Sequence, residues 1–258
     1  MECELKNKKV FVSASSDGIG KAIANSFLEE GAVVMINGRN ESKLRKVQCA
    51  LNNKHSGNRC FSYVGDMSDS KVITRLPEYI RGFWDKLDVL VCNLGSGKGL
   101  VDDKYDIEEW KRLMNINLFD TVNTINVCLP LLKESEYSSI VCLSSLVAFD
   151  KIGAPPAYAA SKAGINSFVK YLSDDMAQYG VRVNAIAPGN VYYEGGRWQE
   201  LRDADTMGID AYINENVPLK RFGKPEEIAD AVIFMASKRA SFITGTVLKV
   251  DGGQSRGY

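Results

Sequence analysis

Short apolar runs that read as buried strands recur along the chain, with longer amphipathic stretches between them. The runs begin near Lys9, Ala32, Arg59, Leu87, Ser138, Val181 and Thr246. The intervals carry apolar residues at helical spacing, as in 69–83, 107–132, 157–179 and 225–236. In the first interval Ile19, Ile23, Ala24, Phe27 and Leu28 share one face of a helix that runs to about Glu30. Strand and helix alternate through the whole chain without a repeat, which predicts an α/β fold: one doubly wound parallel sheet, covered on both faces, in a single domain of 1–258. Segment 192–219 breaks the pattern. It is rich in glycine and charge, has weak helical signals and follows the sixth strand, so it is expected to cover the site as a small substrate lid.

Three places on this framework carry candidate chemistry. Tyr158 and Lys162 lie four apart in a predicted helix, which stacks phenol and ammonium on one face. A nearby ammonium favours the phenolate and is expected to lower the tyrosine pKa from about 10, as a proton donor in carbonyl reduction requires. The turn Ser13-Ala14-Ser15-Ser16-Asp17-Gly18-Ile19-Gly20 joins the first strand to the first helix. Small residues there let the backbone approach a pyrophosphate at a helix N-terminus. Ser145 ends the apolar run 140–143 and lies thirteen residues before Tyr158, across a loop with Gly153, Pro155 and Pro156. Strand end and helix start can therefore meet, with a serine hydroxyl able to hydrogen-bond a substrate oxygen. Ser144 reads as a satisfied strand-end hydroxyl.

With these motifs in order, the chain resembles the classical short-chain dehydrogenases/reductases from about Lys6 to Gly253. The family's glycine motif falls on Ser13, Ala14, Gly18 and Gly20, and its Asn-Asn-Ala-Gly segment on Cys92, Asn93, Leu94 and Gly95. Its asparagine falls on Asn117, and its catalytic serine, tyrosine and lysine on Ser145, Tyr158 and Lys162. Arg182 to Gly189, Lys224 to Ala229 and Ile243 to Gly253 continue the likeness. The resemblance implies a Rossmann-like fold and hydride transfer between a nicotinamide and a carbonyl or secondary alcohol, of sugar, polyol or 3-oxoacyl type. It implies that Tyr158 moves the proton, that Lys162 also holds the nicotinamide ribose, and that Ser145 positions the carbonyl. Asn117, at a helix irregularity, would hold a water behind Lys162. The expected cofactor contacts are Ser13, Ser15, Ser16, Asp17, Gly18, Ile19 and Gly20, then Arg39, Asp66 at the adenine, Met67, Asn93, Gly95, Tyr158, Lys162, Pro188, Gly189 and Val191. Two other classes stay in view, a catalytically silent dinucleotide-binding regulator and an epimerase- or lyase-like enzyme.

Departures from the family pattern shape further expectations. Ala14 replaces a glycine, which implies slight crowding of the turn. Tyr193 stands where the family often has threonine, leaving the carboxamide contact to a longer hydroxyl or to backbone groups. The acid that selects NAD would fall on Gly38, so the group that repels a 2′-phosphate is missing, and Arg39 follows it. Asp17 occupies a position often basic in NADP-preferring relatives and argues the other way, while Arg39 has a bland reading as a solvated helix-start residue. On balance NADP(H) is expected over NAD(H).

Composition narrows the partners. Lys plus Arg and Asp plus Glu both number 32, so nothing attracts a nucleic acid. No stretch approaches a membrane span, and the N-terminus lacks a signal-like apolar run. The six cysteines have no Cys-x-x-Cys spacing and read as reduced thiols, which places the protein in the cytoplasm. His55, the lone histidine, reads as a solvated loop residue, and no metal is expected. A small-molecule substrate and a homo-oligomer are expected. A tetramer follows from the resemblance, with Phe168, Tyr171 and Leu172 widening the apolar surface of the Tyr158 helix.

Overall fold

The computed structural model describes residues 3–99 and 105–256. Seven strands form one sheet: β1 Lys9–Val12, β2 Val33–Gly38, β3 Cys60–Val64, β4 Val89–Cys92, β5 Ser138–Leu143, β6 Val181–Pro188 and β7 Val247–Val250. Their order in space is β3-β2-β1-β4-β5-β6-β7, and every pairing is parallel. The helices are α1 Gly18–Glu29, α2 Glu41–Lys54, α3 Ser70–Arg81, α4 Ile107–Met114, α5 Asp120–Lys133, α6 Pro156–Ala177, α7 Arg197–Ala204, α8 Thr206–Asn216 and α9 Pro225–Ala236.

The two-residue period of the strands sorts side chains into two cores. On β1, Val10 and Val12 join α1, α2 and α9 on one face, while Phe11 joins α3, α5 and α6 on the other. This is the expected doubly wound, Rossmann-like sheet. The chain order reverses between β1 and β4, and such a switch point opens a crevice at the C-terminal strand ends.

Two segments stand out. Segment 107–132 holds the irregularity that the resemblance implies at Asn117: α4 passes through a π turn, Asn115–Phe119, into α5. The Asn117 amide, wholly buried, donates to Leu113 O at 2.9 Å and to Ser96 O at 3.1 Å. Extra width in a helix at that point lets one side chain serve two segments. The second is 192–219, which holds α7 and α8 and buries only Ile213 from those two helices. Its anchor is aromatic instead. Trp198 stacks on Tyr212 with centroids 5.7 Å apart and tilts against Phe222 at 5.4 Å, with Tyr192 against the same ring at 5.6 Å.

Cys60, Cys92, Cys128 and Cys142 are buried, and none of the six cysteines forms a disulfide among the described residues. His55 is half-buried rather than solvated, because its ring meets Asn25 Oδ1 at 2.9 Å beyond the end of α2. No helix among the described residues is long and apolar enough to cross a membrane.

Candidate active site

A cleft of about 750 Å³ follows the strand ends from Asp66 and Met67, past Arg39 and Ser16, to Ser145, Tyr158 and Lys162. Local sequence explains how each wall is placed. Pro156 opens α6 at a position where a missing N–H costs nothing, and Tyr158 follows in its first turn. Lys162, one turn on, is 3% exposed, and its ammonium donates to Leu143 O at 2.7 Å and Leu94 O at 3.3 Å. Burial holds the Lys162 pKa down at about 8, against the opposing pull of Cys142 and Cys92. Its ammonium lies 5.9 Å from the centroid of the Tyr158 ring.

The tyrosine differs from the sequence expectation. Burial pushes the Tyr158 pKa up, with a hydrogen bond from Ser145 pulling the other way and Tyr193 adding to the rise. Desolvation of the phenol therefore sets the direction of the shift, and the lysine ammonium is bonded to two main-chain carbonyls. Ser144 turns away, donating to Asn166 Oδ1 at 2.5 Å, as a satisfied strand-end hydroxyl does.

Asn117 lies behind the cleft. Its Oδ1 accepts from Ser96 N at 2.9 Å and its two N–H groups are both used, which leaves one lone pair of the amide for a water. Gly95 is where these groups converge. Its φ is +155°, and an added Cβ would sit 2.7 Å from Asn117 Oδ1 and 2.9 Å from Lys162 Nζ.

At the glycine turn the expected residues divide into two sets. Ser16, Asp17 and Ile19 line the cleft, as do Asn93, Gly95, Pro188, Gly189 and Val191. Ser13 and Ser15 are fully buried and do not line it. The Ser13 hydroxyl donates to Val91 O and accepts from Asn93 N, while Ser15 Oγ donates to Val12 O and accepts from Asn37 N. Gly18 and Gly20 also sit back from the open space. The Tyr193 ring lies against Gly18, where an added Cβ would be 2.6 Å from it. A Cβ on Gly20 would meet Asn93 Nδ2 at 2.5 Å and Ala14 O at 2.6 Å, so close packing sets the path of this turn. Ala14 has φ +48°, so its departure from glycine falls on the backbone rather than on crowding by the methyl.

Two residues of this region escaped sequence reading. Asn37, 2% exposed, accepts from Ala14 N at 3.2 Å and donates to Tyr63 O at 3.0 Å and Gly65 O at 3.2 Å. One amide thus ties β2, the glycine turn and the end of β3. Its only signal was a polar residue closing an apolar strand. Lys43, on the first turn of α2, pairs with Asp17 Oδ2 at 2.5 Å. Burial would raise the Asp17 pKa, but the Lys43 hydrogen bond and Gly18 N–H bring it below the usual carboxylate range. Arg39 Nη1 lies 3.5 Å from Asp66 Oδ2.

The N-terminus of α1, the open path from Asp66 to Tyr158 and the absence of a side chain at Gly38 suit an elongated anionic ligand such as a dinucleotide. At the mouth of the cleft, the loop after β4 passes over Tyr158, with an added Cβ on Gly97 only 3.4 Å from its ring. The next residue, Lys98, forms an ion pair with Glu200 of α7.

Comparison with known proteins agrees with this geometry. The Enoyl-(Acyl carrier protein) reductase family profile matches residues 13–255. A 3-oxoacyl-[acyl-carrier-protein] reductase of Chlamydia muridarum is 35% identical over 99% of this chain and 100% of its own. The L-fucose dehydrogenase of Bos taurus is 36% identical over 97% of this chain and 90% of its own. Among solved structures, L-sorbose reductase from Gluconobacter frateurii, complexed with NADPH and L-sorbose, superposes with a TM-score of 0.93 at 26% identity and covers 100% of both chains. Fold, cleft and ordered motifs lead to one assignment: the chain belongs to the short-chain dehydrogenase/reductase family and is an NAD(P)-dependent oxidoreductase acting between a carbonyl and a secondary alcohol.

Proposed function

We propose that the protein is an NADP(H)-dependent reductase of small hydroxylated ketones of the sugar and polyol class. The observation that carries the substrate class is Trp198, which lines the same cleft as Tyr158 on a segment tied across the mouth by Lys98 and Glu200. An indole face and paired charges suit the C–H and O–H faces of a small polyol. A mouth strapped by this ion pair suits a tethered acyl chain less well. The L-fucose and L-sorbose enzymes among the relatives support this reading. A 3-oxoacyl thioester remains the second reading, since the Chlamydia relative is named for one.

The geometry supports the following residue roles. Tyr158 gives the proton to the carbonyl oxygen, and Ser145 positions that oxygen beside the phenol. Lys162 has three N–H donors and uses two on carbonyls, so one remains for the ribose of the dinucleotide. With a pKa of about 8 it is mostly charged at pH 7 and stabilises the phenolate left after proton transfer. Asn117 holds the loop at Ser96 and offers its spare lone pair to a water that returns the proton. The nicotinamide, when bound, supplies the hydride. Ser16, Ile19 and the N-terminus of α1 hold the phosphates, with Asp17 capping that helix and Gly18 and Gly20 shaping the turn. Asn93 and Ser13 brace it, and Ser15 with Asn37 fixes its other side. Pro188, Gly189, Val191 and Gly95 line the nicotinamide end, with Asp66 and Met67 at the adenine. The regulatory alternative is not favoured, because Asn117, Ser145, Tyr158 and Lys162 are all present.

NADP(H) is favoured because Gly38 removes the selecting acid, Arg39 follows it, and Lys43 offsets the charge of Asp17 that argued for NAD. The 2′-phosphate would draw Arg39 from its long contact with exposed Asp66. We also propose a cytoplasmic homotetramer that pairs α6 across a two-fold axis. Tyr171, 75% exposed, and Phe119, 49% exposed, support such a face, whereas Leu172 and Phe168 pack into the monomer core. Segment 192–219 acts as the substrate lid. A screen of ketoses, polyols and 3-oxoacyl thioesters with NADPH and NADH tests the proposal. Turnover confined to thioesters, or a higher kcat/KM with NADH, would overturn its finer parts.

A further inference from the structure

Asp120 opens α5 just after the π turn, and its side chain lines the cleft with Asp66, Met67 and Ile116. It is only 9% exposed, yet no hydrogen bond or ion pair engages its carboxylate among the described residues. The side-chain donor that reaches this residue, Thr124 Oγ1 at 2.7 Å, bonds its main-chain oxygen and not the carboxylate. A carboxylate largely withdrawn from bulk water at a cleft wall, without a protein donor, carries a desolvation cost. Burial and the like charge of Asp66 push its pKa up to about 6, so at neutral pH it is mostly ionised and carries that cost. Such a group in a cleft is a candidate for ligand recognition.

Its neighbour is already engaged. Asp66 Oδ1 accepts from Ser68 N at 3.0 Å and from Ser68 Oγ at 2.8 Å, and Oδ2 faces Arg39. When Arg39 moves to a phosphate, Ser68 still holds Oδ1. Asp120 is then the carboxylate at this end of the cleft with no protein donor of its own. This end belongs to β1, β2 and β3, the half of a doubly wound sheet that binds the adenosine part of a dinucleotide, while Tyr158 marks the other half.

We propose that Asp120 reads the base of the cofactor, its carboxylate accepting a hydrogen bond from the exocyclic amino group of adenine. The inference rests on the dinucleotide reading of the cleft. It makes Asp120 a specificity-determining residue that acts on binding and not on the chemical step. A base with a carbonyl in place of the amino group turns an oxygen toward the carboxylate, so attraction becomes repulsion. A hydrogen bond to a charged group of this kind separates the two bases by at least about tenfold.

The test compares Kd for NADPH and for its hypoxanthine analogue, read from nucleotide fluorescence in the full chain without substrate. Wild type should favour the adenine form at least about tenfold. Asp120→Ala should bring the two within about threefold, with its melting curve confirming a folded chain. Equal binding of both nucleotides by wild type would overturn the inference, as would an Asp120→Ala protein that keeps the wild-type ratio. If wild type binds neither NADPH nor NADH, the dinucleotide reading fails first and takes this inference with it.

Discussion

At the Tyr158 end of the cleft, Lys162 is 3% exposed and both its hydrogen bonds run to main-chain carbonyls. At the adenosine end, the Arg39 side chain is 79% exposed and its partner Asp66 lies 3.5 Å away. Groups at the first end are fixed by the fold, since moving Lys162 means moving β4 and β5. Groups at the second are fixed by ion pairs of the exposed kind, usually worth about 0–1 kcal/mol and weakened by salt. The chemistry of this enzyme is therefore hard to alter without altering the fold. Its choice of nucleotide is open to single substitutions.

The largest effect should come from the rigid end. Tyr158→Phe keeps the ring and removes the proton, so kcat should fall at least about 100-fold while NADPH binding holds. Near-normal turnover would break the contrast at its root. Asp120→Asn tests whether one buried group at the adenosine end carries a comparable load. The folded Asp120 carboxyl titrates at about 6, above its ordinary value of 3.8, so the native state holds the proton more tightly. That contribution is complete below about pH 4 and is lost as pH rises toward 6. The amide cannot ionise. Ligand-free Asp120→Asn should thus match wild type near pH 4 and exceed it by about 1–3 kcal/mol at pH 7.5, read from melts at both pH values.

Arg39→Ala should weaken NADPH about tenfold and NADH little, with the difference shrinking at high salt. Adding an acid, as Gly38→Asp with Arg39→Leu, should turn preference toward NAD. The new Cβ would lie 3.0 Å from that of Ser16, so the serine must give slightly. Equal losses for both nucleotides in Arg39→Ala would remove Arg39 from cofactor choice. The smallest effect belongs to the turn. Ala14→Gly relieves a left-handed alanine and should stabilise the chain by about 0.5–1 kcal/mol in denaturant melts, without a change in kcat.

The same contrast explains what could be read from the sequence. Tyr158 and Lys162 were legible because one helix fixes their spacing, and Ser145 because a strand end fixes its place. The alternation of strands and helices likewise made the sheet legible. Lys43 and Asp17 lie 26 residues apart and meet only because α2 packs beside the glycine turn, which no local pattern announces. Asn37 and Asp120 matter through burial, a property of the assembled chain. The pKa of Tyr158 was misjudged for the same reason. Helical spacing places Lys162 beside the phenol but says nothing of the desolvation that raises the phenol pKa.

Gly95 has a consequence for how activity returns when the chain folds. It admits Asn117 from the π turn and Lys162 from α6 to the same few ångströms beside β4. None of these contacts is local, so no subset of early helices builds a partial catalyst. During refolding from denaturant, turnover should therefore lag behind helical circular dichroism and track the slowest folding phase, which makes catalysis a reporter of complete chain assembly.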